Sequence, residues 1–203
     1  IHVLQCTVEP KDSKALDATL KEYYKCIDEG RKAVMLSVCR GKVSEGINFA
    51  DDYARSIVIV GIPYPSTVDL NVQLKRKYQD ERIVRHKIKN SSSHNIISGS
   101  DWYKLQAFRA VNQAIGRCIR HMNDFGAIIL CDPRYQSISN QSQLSRWLRS
   151  AVVSVNNFED NLISYQHFFG PEIERKGPLH GGTFANRQRM RIQGRSAADS
   201  ESS

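Results

Sequence analysis

The chain has 203 residues, of which 40% are hydrophobic and 25% are charged, and its formal net charge at pH 7 is +8. This length and composition suffice for one hydrophobic core with a tail left over. No apolar run approaches the roughly 20 residues that a membrane-spanning helix needs, and no secretory signal is visible, so we expect no membrane partner. The positive excess favours a polyanion, with nucleic acid the leading class of partner.

The five cysteines are spread along the chain without any C-x-x-C pair. Their odd number and irregular spacing support neither a zinc site nor a disulfide framework, so we expect a reducing compartment and no bound metal. The chain begins with Ile1 rather than Met. We therefore expect it to be a piece of a longer protein.

The predicted elements alternate between short apolar strands and amphipathic helices. In chain order we predict a strand at 1–8, a helix at 12–29, a strand at 33–39, a glycine-bearing loop at 41–48, a strand at 56–60, a helix at 68–82, a Ser- and Asn-rich loop at 86–99, a helix at 101–121, a strand at 126–131, and helices at 142–149 and 158–168. This alternation predicts an α/β fold whose mostly parallel sheet is covered by helices on both faces. Ligands of such sheets bind beyond the carboxyl ends of the strands, and residues 40–48 follow one such end.

The hydrophobic pattern ends near residue 177, after which Gly, Arg, Gln and Ser dominate. A segment of this composition buries too little apolar surface to offset its chain entropy. We therefore predict one folded domain over 1–170 and a disordered tail or linker over 171–203.

The segment 111–121 reads VNQAIGRCIRH and carries the strongest functional signal. With about 100° per residue, one stripe of the predicted helix collects six residues within about 60° of its middle: Gln106, Arg109, Gln113, Gly116, Arg117 and Arg120. The opposite side carries Val111, Ile115 and Cys118, which we expect to be buried. A glycine flanked by guanidinium groups suits a phosphate, since Gly admits close approach and Arg presents a rigid fork of donors. A solvated polar stripe, as on most surface helices, is the alternative.

The second signal is the segment 40–49, which reads RGKVSEGINF. It is not a phosphate-cradling Walker loop, because Leu36 and Val43 stand where that motif requires Gly and Ser or Thr. Considered alone, the segment is equally well explained as an ordinary turn between a strand and a helix.

Taken together, these two segments resemble motifs V and VI of the XPD-like superfamily 2 DNA helicases. Segment 40–49 matches motif V, and segment 113–120 (QAIGRCIR) matches motif VI. The resemblance continues at GIPYP (61–65), NDFGA (123–127) and DPRY (132–135), and it spans about residues 1–170.

The resemblance implies the second of two RecA-like motor domains, which close on ATP between them. The first domain of such helicases carries the Walker loop, the acidic box that binds Mg²⁺ and an iron–sulfur cluster held by four cysteines. The family resemblance further implies 5′–3′ translocation on single-stranded DNA, action on DNA forks, and a role in DNA repair in the nucleus with repair proteins as partners. The expected ligands are therefore ATP and Mg²⁺, shared with the first domain, while the cluster belongs to that domain alone.

The resemblance also assigns roles to individual residues. On the helix, Gln113 and Gly116 lie at the nucleotide, and Arg117 and Arg120 are the catalytic arginines that reach its β- and γ-phosphates. On the loop, the nucleotide-binding residues are Glu45, Gly46 and Asn48, and the nucleic-acid-binding residues are Arg40, Lys42 and Ser44. The family usually has Asp where this chain has Asn48. Because Asn carries no negative charge, the sequence does not decide whether Asn48 makes the contact that Asp makes in the family.

Two alternatives remain at this stage. One is a catalytically inactive RecA-like scaffold that binds DNA or a repair partner. The stripe around Gly116 argues against a scaffold, since a pure binder does not need it, while Asn48 argues mildly for one. The other is an RNA helicase of the same superfamily. No residue pattern that reads bases or 2′-hydroxyl groups is visible, so only the resemblance favours DNA.

Overall fold

The computed structural model describes residues 4–47, 49, 51–88, 96–121, 124–155 and 157–173. Its strands are β1 (Gln5–Val8), β2 (Ala33–Leu36), β3 (Ser56–Val60) and β4 (Ala127–Cys131). Its α-helices are α1 (Ser13–Asp28), α2 (Lys42–Gly46), α3 (Leu70–Ile88), α4 (Gly99–Cys118), α5 (Ile138–Gln141), α6 (Arg146–Arg149) and α7 (Phe158–Ile173). Residues 1–3 of the first predicted strand, Asn48, residues 89–95 of the predicted loop and the tail from 174 lie outside the described residues.

The strands form two parallel pairs. In one pair β1 lies beside β2, with Gln5 opposite Ala33 and Val8 opposite Leu36. In the other pair β3 lies beside β4, with Ser56 opposite Ala127. Parallel neighbours require a long crossover connection, which α1 provides in the first pair and the α3–α4 segment provides in the second. The predicted α/β class with parallel strands and flanking helices is confirmed.

The first helix shows how local sequence sets the element ends. The Asp12 side chain accepts a hydrogen bond from the Lys14 amide at 3.0 Å and caps the N-terminus. Gly30 adopts φ 72°, a left-handed conformation that Gly tolerates and that ends the helix. The buried face of α1 packs with residues of α2 and its flanking loop in one hydrophobic cluster: Leu16, Leu20, Tyr23, Val43 and Phe49.

Helix α4 is the centre of the second hydrophobic cluster. The predicted core side of this helix is confirmed, because Val111, Ile115 and Cys118 are at most 2% exposed. Phe108 is fully buried on the same face and packs edge-on against Tyr135. This face lies against β3, β4 and the segment that follows β4. The residues of the stripe are therefore directed away from the core.

Both predicted ends of α4 are wrong. The helix begins at Gly99, and Ser98 rather than Asp101 is its N-cap: the Ser98 hydroxyl accepts the Asp101 amide at 3.0 Å. The helix ends at Cys118 rather than at residue 121, because Ile119 is extended (φ −114°, ψ 105°). Arg120 therefore follows the helix instead of continuing its stripe.

Helix α3 is longer than predicted. It spans Leu70–Ile88 instead of residues 68–82, so residues 86–88, which we predicted as loop, are helical. The extension contains no Gly or Pro, and Arg85 forms an ion pair with Glu81 at 2.8 Å one turn earlier. The predicted helix at 142–149 is shorter and occupies Arg146–Arg149, preceded by α5.

The second strand pair is unequally covered on its two faces. In β3, Ile59 is 3% exposed, whereas its neighbours Val58 and Val60 are 55% and 83% exposed. Side chains alternate across a strand, so the exposed residues share the face opposite the one packed against α4. Among the described residues, no helix has both the length and the apolar character needed to cross a bilayer.

Candidate functional site

The end of α4 presents an open face around Gly116. Gln113 is exposed, and Gly116 and Arg117 are partly exposed. A Cβ atom placed on Gly116 would have no heavy atom of the described chain within 4 Å beyond its own helix. The chain's own packing therefore does not require a glycine at this position. Because Gly costs roughly 0.5–1 kcal/mol relative to Ala inside a helix, the open space is consistent with a requirement set by something outside the described chain.

Arg120 sits directly beside this glycine. Its Nη1 donates to the Gly116 carbonyl at 3.3 Å, while its side chain stays exposed. Among the described residues, no carboxylate forms an ion pair with Arg120. A guanidinium bound to a neutral carbonyl can exchange that partner for a phosphate, since hydrogen bonds between two charged groups are shorter and roughly twice as strong.

Arg117 joins the end of α4 to α2, a short helix over Lys42–Gly46 where we predicted a loop. Its Nε donates to the Ser44 carbonyl at 3.3 Å, and its own carbonyl accepts the Phe49 amide at 3.3 Å. The structure therefore brings the motif VI segment and the motif V segment together around this residue. Gly46, on the loop side, also faces open space, with no heavy atom of the described residues within 4 Å of an added Cβ. The Glu45 side chain and Asn48 lie outside the described residues, so their assigned roles stay predictions.

The loop after β2 is held by a residue that the sequence did not single out. Glu9 follows β1, and its two carboxylate oxygens accept the backbone amides of Val38 at 2.9 Å and Val43 at 3.1 Å. A Cβ on Gly41 would lie 2.7 Å from the same carboxylate, so Gly41 is required for this close approach. The Ser44 hydroxyl is buried and donates to the Gly41 carbonyl at 3.0 Å. The contacts of Ser44 thus stabilise the turn itself.

Arg40 contacts the middle of α4. Its guanidinium donates to the Gln106 carbonyl at 2.7 Å and to the Pro63 carbonyl at 3.4 Å. Gln106 and Arg117 are eleven positions apart on the helix, about 16 Å along its axis. Arg40 also has φ 71°, which is uncommon for a residue with a side chain. Lys42 points elsewhere, with its Nζ bonded to the Ser13 hydroxyl and to the Lys11 carbonyl.

The predicted residues thus form two groups rather than one. The first group lies where α4 ends: Gln113, Gly116, Arg117, Arg120 and, from the loop, Ser44 and Gly46. The second group, Arg40 and Lys42, lies toward the start of α2 and the middle of α4. The assigned roles stay predictions: catalysis for Arg117 and Arg120, nucleotide binding for Gln113, Gly116 and Gly46, and nucleic-acid binding for Arg40, Lys42 and Ser44.

A buried ion pair lies behind Arg120. The Asp124 side chain is 0% exposed and contacts Arg55 Nη1 at 2.8 Å. The Arg55 guanidinium also lies 4.1 Å from the centre of the Phe125 ring. Burial, assisted by the nearby Asp124 charge, raises the pKa of the neighbouring Cys118 thiol to about 11. Cys118 is therefore a protonated thiol at neutral pH, and it donates to the Ala54 carbonyl at 3.1 Å.

Asp51, His121 and Asp124 form a cluster of side chains with metal-ligating atoms within 4.8 Å of one another. His121 Nε2 lies 3.0 Å from an Asp51 carboxylate oxygen. The Asp124 oxygens, however, already accept hydrogen bonds from Arg55, Phe125 and Arg120. The Asp124 carboxylate is thus paired with Arg55 and bonded to two backbone amides, and we assign it to this network.

A family model described as the helicase C-terminal domain matches residues 2–151. The regulator of telomere elongation helicase 1 homologue of Drosophila persimilis is 46% identical over 142 residues, which cover 70% of this chain and 13% of that protein. Its counterpart in Anopheles gambiae is 46% identical over 170 residues, which cover 81% of this chain and 16% of that protein. Among solved structures, an XPD helicase aligns over 68% of this chain and 22% of its own, with 30% identity and a TM-score of 0.44.

The chain spans only 13–16% of the length of these curated relatives. The motifs also predict a ranking within the family, with the Fanconi anaemia group J helicase first and the regulator of telomere elongation helicase second. The relatives above include the second protein, and the ranking itself stays a prediction. The match of the family model over three quarters of the sequence confirms the predicted resemblance. The chain belongs to the helicase C-terminal domain family, within the XPD-like helicases of superfamily 2.

Proposed function

We propose that this chain is the C-terminal motor half of an ATP-dependent 5′–3′ DNA helicase that acts in DNA repair in the nucleus. In this proposal the chain supplies two arginines to an ATP molecule held by the first RecA-like domain of the same protein. It also supplies part of the surface that binds single-stranded DNA at forks. Repair proteins are the expected further partners.

The observation that carries the proposal is the open face around Gly116. A helix interior favours Ala over Gly, and nothing in the described chain occupies the space beside Gly116. Along the same segment, Gln113 supplies an amide, Arg117 a guanidinium bonded to the Ser44 carbonyl, and Arg120 a guanidinium bonded to the Gly116 carbonyl. This arrangement is suited to a polyanion that enters from outside the domain, and family membership makes ATP the best candidate.

The two arginines would act on negative charge rather than on a bond. When ATP and Mg²⁺ are bound, ATP would supply the phosphoryl group that is transferred to water. Arg120 would exchange its bond to the Gly116 carbonyl for a phosphate oxygen and stabilise charge that develops there. Arg117 is held by the Ser44 and Phe49 backbones, so its position is coupled to α2, the helix that ends at Gly46.

The remaining assignments follow the two groups of residues. Glu45, Gly46 and Asn48 would approach the nucleotide from the loop. Arg40 and Lys42 would contribute positive charge toward the DNA backbone, where each neutralised phosphate releases counterions. Ser44 would serve DNA binding through the turn that it stabilises. ATP and Mg²⁺ would be shared with the first motor domain, whereas the iron–sulfur cluster is assigned to that domain alone.

ATPase measurements on this chain, on the first motor domain of its parent protein and on their mixture test the proposal. We expect almost no Mg²⁺-dependent hydrolysis by this chain alone, because it lacks a Walker loop. The mixture should hydrolyse ATP, and single-stranded DNA should stimulate it. Robust hydrolysis by the isolated chain would contradict the proposal. A mixture that binds DNA without hydrolysing ATP would instead favour the scaffold, and stimulation by RNA alone would favour an RNA helicase.

A further inference from the structure

Asp124 is a buried carboxylate with three hydrogen-bond donors around it. Its Oδ1 accepts Arg55 Nη1 at 2.8 Å and the Phe125 amide at 2.9 Å. Its Oδ2 accepts the Arg120 amide at 3.1 Å. The side chain is fully buried, so its charge depends on Arg55 for compensation.

The bond to Arg120 determines where α4 ends. In a continued helix, the Arg120 amide would donate to the Gly116 carbonyl four residues earlier. Here Asp124 takes that amide, and the Gly116 carbonyl accepts the Arg120 guanidinium instead. One carboxylate therefore releases Arg120 from the helix and at the same time allows its side chain to lie beside Gly116.

Arg55 fixes this carboxylate from the opposite side. It precedes β3, donates to the Phe125 carbonyl at 3.1 Å, and forms a second ion pair with Asp52 at 2.7 Å. Arg55 thus ties together the segments before β3 and before β4. The position of the Arg120 backbone is therefore set by strand ends rather than by the helix to which its sequence motif belongs.

We propose that Asp124, held by Arg55, is the positioning residue for Arg120 in ATP hydrolysis. This inference rests on the proposed function, since it assigns Asp124 a role only through the Arg120 guanidinium. Asp124 contacts neither ATP nor DNA in this role.

The test uses the parent helicase with both motor domains and single-stranded DNA, comparing wild type, D124N, R120A and the double variant D124N/R120A. We expect D124N to lower kcat about tenfold while the KM for ATP and the Kd for DNA change less than about twofold. Because Asp124 acts through Arg120, the double variant should have the kcat of R120A alone. A positioning role predicts this non-additivity, whereas a general weakening of the fold lowers kcat in both backgrounds.

The matched control is D132N. Asp132 also flanks β4, also accepts a backbone amide, that of Arg134 at 2.9 Å, and also forms an ion pair, with the Arg134 guanidinium at 2.7 Å. This partnership lowers the pKa of the Asp132 carboxyl to about 2. We expect D132N to keep the wild-type kcat, because Asp132 does not contact Arg120.

The outcomes separate this inference from the proposed function. If R120A leaves kcat at the wild-type value, the proposed function itself fails. If R120A lowers kcat but D124N does not, or if the double variant falls well below R120A, only the positioning role is overturned. Should D124N unfold, R55K takes its place in the same comparison with R120A and the corresponding double variant. Lys keeps the positive charge but lacks the additional N–H donors of the Arg55 guanidinium. Unfolding of both variants would also overturn the inference, since the pair would then serve the fold as a whole.

Discussion

The two ends of the functional stripe on α4 differ in how the chain treats its arginines. Toward the start, the Arg40 guanidinium is bonded to the carbonyls of Gln106 and Pro63, inside the domain's own framework. At the other end, the Arg120 guanidinium has one hydrogen bond within the described residues, to the neutral Gly116 carbonyl, and the space beside Gly116 is open to those residues. The first arrangement holds the arginine side chain within the domain, and the second leaves the arginine side chain exposed beside Gly116.

The motif to which an arginine belongs therefore does not reveal how firmly its side chain is bonded within its own domain. To bind DNA through its side chain, Arg40 would have to give up its contacts to two carbonyls, whereas Arg120 would give up one contact within the described residues. We therefore expect variants at the Gly116 end to affect hydrolysis most. Variants near the loop should affect stability first.

The largest predicted effect is the loss of ATPase activity when the arginines near Gly116 are replaced. In the parent helicase, R117A and R120A should each lower kcat by about 10³-fold, the lower end of the range for arginine fingers, while DNA binding persists. Steady-state ATPase assays and fluorescence anisotropy with single-stranded DNA measure the two quantities. R146A, an exposed arginine on α6, is the matched control and should leave kcat unchanged. Wild-type turnover in R117A and R120A would remove the assignment.

The next effect concerns the stability of the segment after β2, which Glu9 holds. Gln in place of Glu9 keeps one acceptor but turns an amide NH₂ toward a backbone N–H, so either the Val38 or the Val43 amide loses its partner. We expect E9Q to lower the free energy of unfolding by about 1–3 kcal/mol, measured by urea denaturation. E22Q, which alters an exposed carboxylate bonded to Gln5, should change it by less than about 0.5 kcal/mol. Equal stability of both variants would show that Glu9 does not hold the loop.

The smallest predicted effect on stability comes from replacing Gly116, and it contrasts with the effect of replacing Gly99 in the same helix. G116A should raise the free energy of unfolding by about 0.5–1 kcal/mol, because Ala favours a helix and meets no atom of the described chain. The same variant should lower ATPase activity about tenfold if a ligand needs the space, equivalent to about 1.4 kcal/mol.

G99A provides the contrast at the start of the helix. An added Cβ would lie 2.4 Å from the Arg76 carbonyl, so this substitution should destabilise the domain. Full ATPase activity of G116A in the parent protein would show that its open space is not used by the nucleotide.

Much of the fold was accessible from sequence because it depends on short-range patterns. The apolar runs of β3 and β4 predict parallel strands, and the spacing of Val111, Ile115 and Cys118 predicts the buried face of α4. The ends of the helices were harder to predict from the sequence. Asp124 terminates α4 through a bond to Arg120, and this bond depends on a partner, Arg55, that lies 69 positions away in the chain.

The family, the α/β class and the buried face of α4 could be predicted from the sequence, because motif identity and hydrophobic periodicity are local properties. Only the folded structure shows that Ser44 contacts Arg117 at the end of α4, that Glu9 holds the segment after β2, and that Arg120 leaves the helix. These features arise from hydrogen bonds between residues far apart in the chain, whose partners no local pattern specifies. Folding must first bring the carboxylates of Glu9 and Asp124 to the backbone amides that they bind.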